Sequence, residues 1–253
     1  MSKIATALVA FAGCLLPVGS TAAAELRVLA LQSPQIAINA VGAAFEHDTG
    51  HKITQLLKRT DMPPEARKKL DSGEAFDVAF VLTPMMDSMV EQGKIVANTR
   101  THFLRIGIGM AVRAGAARPD ISSVDAFKRA LLNANSIAYL KGGTSGPYLA
   151  ALMERLGIAK DLQPKTTRPE MDTVGDLVAS GDVQFGLTAI STLLATPGVD
   201  VVGPLPREIQ SYVYFEAGIS TSAVAPDAAR DLLNFLAKPS TIRIIESKGM
   251  EPW

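Results

Sequence analysis

Asp77-Val78-Ala79-Phe80-Val81-Leu82 runs straight into Thr83-Pro84-Met85-Met86. Asp77 to Leu82 reads as a buried strand: after Asp77 the run is apolar without alternation, as in strands covered on both faces of parallel sheets. Pro84 suits the first turn of a helix, Met86, Met89 and Val90 form its inward stripe, and Gly93 closes it. The same unit recurs upstream. Leu26 to Leu31 has strand character, and a helical pattern follows from about Pro34 with Ile38, Val41 and Phe45 on one face and Gly50 as its stop. Lys52 to Leu57 is strand-like, and Pro63-Pro64 opens a helix running to Gly73. Three successive β-α units predict a parallel sheet with helices on its faces.

Downstream the theme repeats. Ile106 to Val112 reads as a strand, Ser122 or Ser123 caps a helix carrying Val124, Phe127 and Leu131, and Ser136 to Leu140 is a strand. Gly142-Gly143-Thr144-Ser145-Gly146 leads into a helix with Leu149, Leu152, Met153 and Leu156, stopped by Gly157. Met171, Val174 and Val178 mark another helix; Val183 to Thr188, Val199 to Val202 and Tyr212 to Ile219 are further strands. The end is helical, around Leu232, Leu233 and Leu236, then past Pro239 from Ile242 to Ser247. Breaks near Arg105–Arg118 and Gly203–Gln210 suggest two α/β lobes joined by two crossings. Periodicity alone leaves a single large doubly wound sheet open.

Composition narrows the function classes. Of 253 residues 47% are apolar and 20% charged, a globular balance, and 25 Lys plus Arg offset 25 Asp plus Glu. That neutrality argues against nucleic acid as a partner. One Cys and three His exclude a disulfide framework and a Cys-based zinc site. The expectation is neither metal nor cofactor.

The N-terminus reads as an export signal. Met1-Ser2-Lys3 is a short positive region, Ile4 to Val18 is apolar but broken by Gly13 and Pro17, and Ala22-Ala23-Ala24 offers a small-residue cleavage site ahead of Glu25. Phe11-Ala12-Gly13-Cys14 resembles a lipobox with Phe where Leu is usual. Cleavage after Ala24 removes the only Cys, which suits an oxidising periplasm.

In open α/β sheets ligands sit beyond the C-terminal ends of strands, against helix N-termini. Those ends are Gln32-Ser33, Arg59-Thr60, Thr83, Gly143-Thr144-Ser145 and Thr188-Ala189. They are rich in hydroxyls and backbone N–H groups, and a helix start favours an anion. Ser33, Thr83 and Ser145 could equally serve as helix caps. The glycine-rich turn carries neither Walker spacing nor G-x-G-x-x-G, and Pro147 removes Ser145 from any nucleophile elbow. Lys58-Arg59 and Lys141 at strand ends could clamp carboxylates. His102 falls in a polar stretch and is expected to be solvated.

The signal, the first strand and turn, Phe45 to Gly50, Leu70 to Phe80, Gly142 to Gly157, Gly181 to Gly186, Pro197 to Ser211 and Lys248 to Pro252 resemble the periplasmic solute-binding proteins of ABC importers. The molybdate-binding type is most similar. The resemblance implies the type II periplasmic-binding-protein-like fold: one lobe from 25–106 completed by 214–253, a second from 107–213, and a ligand in the cleft. It implies a small anionic ligand, a membrane permease as partner, and a monomer in the periplasm. The family's hydroxyl after the first strand matches Ser33, its helix-start amides match Thr144-Ser145, its later contact matches Thr188-Ala189, and its hinge tyrosine matches Tyr212. Its serine pair after the second strand has no match, because Lys58-Arg59-Thr60-Asp61 stands there. Neutral donors usually hold a tetrahedral dianion, whereas Arg59 offers a fork suited to a carboxylate. The same branch resembles aconitate isomerase. The alternative is therefore an enzyme moving a proton on a tricarboxylate, with Lys141, Glu216 or Tyr212 as candidate bases.

Overall fold

The computed structural model describes residues 23–30, 34–55, 75–171 and 173–253. The expected signal before residue 23, the helix at 63–73, and Gln32, Ser33, Arg59 and Thr60 lie outside the described residues. In the first part of the chain β1 (Glu25–Ala30) pairs in parallel with β2 (Lys52–Gln55) and with β3 (Val78–Leu82). The crossover α1 (Gln35–Thr49) turns Ala37, Ile38, Val41, Gly42 and Phe45 inward. It stops at Gly50, where φ of +76° lets the Gly50 N–H return to the Glu46 carbonyl, a conformation that costs a side-chain-free residue nothing. After β3, α2 (Thr83–Glu91) buries Met86 and Met89.

The strand β4 (Thr101–Arg113) is 13 residues long and serves both halves of the molecule. Its first part pairs antiparallel with β9 (Tyr212–Ile219), which in turn pairs with β3. Its second part pairs antiparallel with β7 (Phe185–Ala189) and β8 (Val199–Pro204). Beyond β7 lie β5 (Ile137–Tyr139) and then β6 (Thr166–Thr167), both parallel. The strand order is β2-β1-β3-β9-β4-β7-β5-β6. β4 starts five residues before the apolar run at Ile106, because His102 and Arg105 and a bulge between His102 and Leu104 interrupt the pattern there.

The helices of the second half are α3 (Val124–Asn133), α4 (Ser145–Arg155), α5 (Ala159–Leu162), α6 (Val174–Ser180) and α7 (Ile190–Ala195). Two more, α8 (Pro226–Leu236) and α9 (Pro239–Ser247), follow β9 and pack on α1, with Phe235 edge-on to Phe45 at 5.5 Å. The short β10 (Glu251–Pro252) then pairs with β4. Ser123 caps α3 by accepting from the Ala126 N–H. Met171, expected on a helix, stands outside α6 and is 71% exposed. No described helix is long and apolar enough to cross a membrane.

Two separate large cores decide between the topologies left open by periodicity. One gathers Val28, Phe45, Phe80, Phe103, Phe215 and Phe235; the other gathers Phe127, Leu131, Leu149, Leu152 and Leu187. Along β4, Leu104 and Ile106 belong to the first and Ile108 and Met110 to the second, so the switch falls at Gly107. Two lobes, each burying its own apolar face, share one curled sheet. Asp77 fastens the first. It is fully buried and accepts from the Arg27 N–H, the Arg27 side chain, and the Val224 and Ala225 N–H groups ahead of α8. Burial alone would raise its pKa, but these four donors outweigh it and hold the carboxyl below the usual range.

Candidate crevice between the lobes

Strand direction brings the predicted turns to one rim. In the second lobe Thr188 pairs with Gly109 and Ala189 with Ile108, while Tyr139, at the end of β5, pairs with Leu187. The Gly142–Ser145 turn therefore leaves the sheet beside Thr188-Ala189. On β9, Tyr212 pairs with Gly107, two residues from Gly109 along β4. In the first lobe, Leu82 pairs with Phe215, which sets Thr83 at the same rim. Gly143, Thr144, Ser145, Thr188, Ala189, Tyr212 and Thr83 thus share one edge of the described structure.

The start of α4 is built for close approach. Gly143 takes φ of +68°, and a Cβ on Gly146 would stand 2.4 Å from the Leu140 carbonyl oxygen, so only glycine lets the helix seat against the end of β5. Thr144 makes no side-chain cap. Ser145, one of the residues expected as a cap, is 7% exposed, and its hydroxyl has no hydrogen-bond partner among the described residues. The first amides of a helix lack intrahelical acceptors, so this terminus presents donors and a positive dipole end. Thr188 is buried at 1% exposure and Ser191, in α7, at 3%.

The first-lobe side of the rim is different in kind. Thr83 opens α2 without capping it, and its hydroxyl donates to Glu216 Oε1 at 3.4 Å. Glu216 is 1% exposed and accepts from Arg100 through Nη2 at 3.1 Å and through Nε. Arg100 also reaches Asp87 at 2.7 Å. The hydrogen bonds to Glu216 raise the Arg100 pKa against the opposing effect of burial.

At the crossing, the Gln210 side chain completes the ladder. Its oxygen accepts from the Ile108 N–H and its amide donates to the Ile108 carbonyl, both at 2.9 Å. The Tyr212 hydroxyl donates to Glu251 at 3.1 Å, and Arg105 lies 4.2 Å over its ring. Burial first, then the Glu251 carboxylate, push the Tyr212 phenol pKa up, so it stays a donor. Lys141 is exposed and paired with Glu170 at 2.5 Å. His102, expected in a loop, is on β4 and stacks on Trp253. Each of the three candidate bases therefore has a local partner.

Sequence reading did not single out Arg100, Gln210 or Glu251. Arg100 is an isolated cation in a polar stretch, and no local pattern points to Glu216, 116 residues away. Gln210 and Glu251 fall in segments that carry the family resemblance, which was the available signal. No group of three or more His, Cys, Asp or Glu side chains that could hold a metal ion occurs among the described residues. A separate open hollow of about 350 Å³, lined by Asp120, Arg129, Asn133 and Gln184 among others, lies at the opposite end of β7 and is not part of this rim.

Comparison with known proteins adds three findings. A family model described as bacterial extracellular solute-binding protein matches residues 26–251. An aconitate isomerase from a Pseudomonas species is 34% identical over 218 residues, 85% of this chain and 83% of that protein. Among solved structures, a substrate-binding domain assigned to a molybdenum ABC transporter from Clostridium difficile superposes with a TM-score of 0.76 at 16% identity, covering 91% of this chain and all of that one. The periplasmic molybdate-binding protein of Azotobacter vinelandii gives 0.63 at 18% identity, over 89% and 98%. The two structural likenesses show the two-lobe fold.

Proposed function

We propose that this chain, which belongs to the bacterial extracellular solute-binding proteins, is exported, captures a small anion between its lobes and delivers it to the permease of an ABC importer. On this reading residues 1–24 are removed and the protein works as a monomer in the periplasm; β1 begins at Glu25, so that cut leaves the first strand whole. The observation that carries the reading is Ser145, a residue only 7% exposed whose hydroxyl makes no hydrogen bond among the described residues, at the uncapped start of an 11-residue helix. Thr144, Ser145, Thr188 and Ala189 would supply neutral donors from one side. Thr83 would contribute from the other, with Gln32, Ser33, Arg59 and Thr60. Arg59 favours a carboxylate, and the absent serine pair disfavours molybdate.

A second reading, proton transfer on a tricarboxylate, is favoured by the aconitate isomerase likeness. It needs a base at the rim, and Glu216, Lys141 and Tyr212 are each held by a partner. One experiment addresses both. The mature protein is screened by thermal shift against molybdate, tungstate, sulfate, citrate and trans-aconitate, and each binder is incubated with the protein in deuterated water. A binder at a hundred times its dissociation constant adds about 2.7 kcal/mol of stability. Binding without deuterium at carbon is the expected result. Deuterium incorporation replaces the first reading by the second, and no shift with any anion overturns the anion site.

A further inference from the structure

The segment from Gly249 to Trp253 joins parts of the molecule that the two crossing strands already join. Its root is in the first lobe. Glu251 and Pro252 pair with Arg105 and Leu104 on β4. The Glu251 carboxylate accepts from Arg105 Nε at 2.9 Å and Nη2 at 2.5 Å on β4, and from the Tyr212 hydroxyl on β9. One side chain thereby holds both crossing strands. Trp253 repeats this with its ring, lying flat on His102 of β4 at 3.8 Å and 4° and against Tyr214 of β9 at 4.6 Å. It is the only tryptophan in the sequence.

The other end of the segment touches the second lobe. Gly249, at φ of +70°, lies so close to α7 that a Cβ would stand 2.1 Å from Leu194 Cδ1 and 3.7 Å from Ile190 Cγ2. α7 directly follows β7, so it moves with the second-lobe sheet. Leu194 is 52% exposed, so the contact is thin. We propose that residues 249–253 form a strap, a third tie between the lobes, and that the Gly249–Leu194 contact holds the lobes at the angle seen here. The physical reason is leverage. Rotation of the second lobe about the Gly107–Ile108 switch carries α7 with it, while β10 stays paired to Arg105. Any such rotation must break or slide the Gly249–Leu194 contact. The root, with an ion pair, a phenol and two ring contacts, resists far more than the tip. The strap therefore releases at Leu194 first.

The test uses the ligand-free mature chain, so it does not depend on the anion reading. Leu194→Ala removes the tip contact and leaves the root intact. Losing a half-buried leucine contact shifts the lobe equilibrium roughly fivefold. Hydrogen exchange at the Ile108 amide should accelerate by that factor, and small-angle scattering should show a changed radius of gyration. Acrylamide quenching of Trp253 should stay at the parent value. Leu194→Met, which keeps the reach, should restore parent exchange. Glu251→Gln loosens the root, and it should accelerate Ile108 exchange and also open Trp253 to acrylamide. If Leu194→Ala lowers the melting temperature but leaves Ile108 exchange and the radius of gyration unchanged, the contact is local packing and the strap proposal is wrong.

Discussion

The two lobes bury different polar chemistry. Among the described residues the first lobe encloses two carboxylates, Asp77 and Glu216, beside His51, Ser220 and Thr241, whereas the second lobe encloses hydroxyls alone, on Ser145, Thr188 and Ser191. A buried charge is tolerated only with partners, and both carboxylates have theirs within the same lobe: four donors on Asp77, and Arg100 with Thr83 on Glu216. The three hydroxyls cluster at the ends of β7 and β5, where two helices start. The first lobe therefore uses its two buried carboxylates to fasten segments distant in sequence, and the second keeps neutral donors close to its rim. Stability and recognition should respond separately to substitutions in the two lobes.

The largest expected effect is at Asp77. Replacing it with Ala leaves the Arg27 side chain and three backbone N–H groups without their acceptor, and should cost about 3–5 kcal/mol in urea denaturation. The carboxyl has a lowered pKa in the folded protein. Its stabilisation is therefore fully present above the unfolded value of about 3.9 and is lost as pH falls through the lowered folded value. The parent should lose stability over that acid window and Asp77→Ala should be flatter there. Identical acid profiles would assign the acid sensitivity elsewhere and remove Asp77 from this role.

Glu216→Gln comes next. The amide cannot satisfy the Arg100 fork, but Arg100 is one-third exposed and keeps Asp87, so solvent screens part of the loss and about 1–3 kcal/mol is expected. Anion affinity in the thermal-shift panel should stay near the parent value. The comparison of the lobes breaks if the variant keeps its melting temperature and instead loses proton exchange on a tricarboxylate, because Glu216 would then be a base and not a fastening.

How much of this was legible in the sequence follows from the same contrast. Val78 to Leu82 and its helix were readable because burial on both faces leaves no polar residue in the run, and Gly50 and Gly181 mark helix ends by their lack of Cβ. The start of β4 was not, since His102 and Arg105 point their chemistry at Trp253 and Glu251, residues about 150 positions away, and disrupt the local period. The glycine-rich turn was visible as a turn. Its close seat on Leu140 was not, because composition does not reveal what a Cβ would meet. Asp77 read as the first residue of a buried strand, and only the fold brings Val224 and Ala225 onto it.

The smallest effect is the sharpest discriminator of the two hydroxyl roles. Ser123 caps α3 in the second lobe, away from the rim, with its oxygen on the Ala126 N–H. Ser145 stands at the start of α4 with no such bond. Ser123→Ala should lower stability by about 0.5–2 kcal/mol, the usual loss of a cap, and leave affinity for the best anion of the panel unchanged. Ser145→Ala should do the reverse. No bond within the protein is lost, so the melting temperature should hold. An anion that accepted from this hydroxyl would lose about 0.5–1.5 kcal/mol, a two- to tenfold rise in Kd by calorimetric titration. Should Ser145→Ala lower stability as Ser123→Ala does, with affinity intact, then Ser145 serves the helix alone. The second-lobe rim would then recognise its anion through backbone amides or through Thr188.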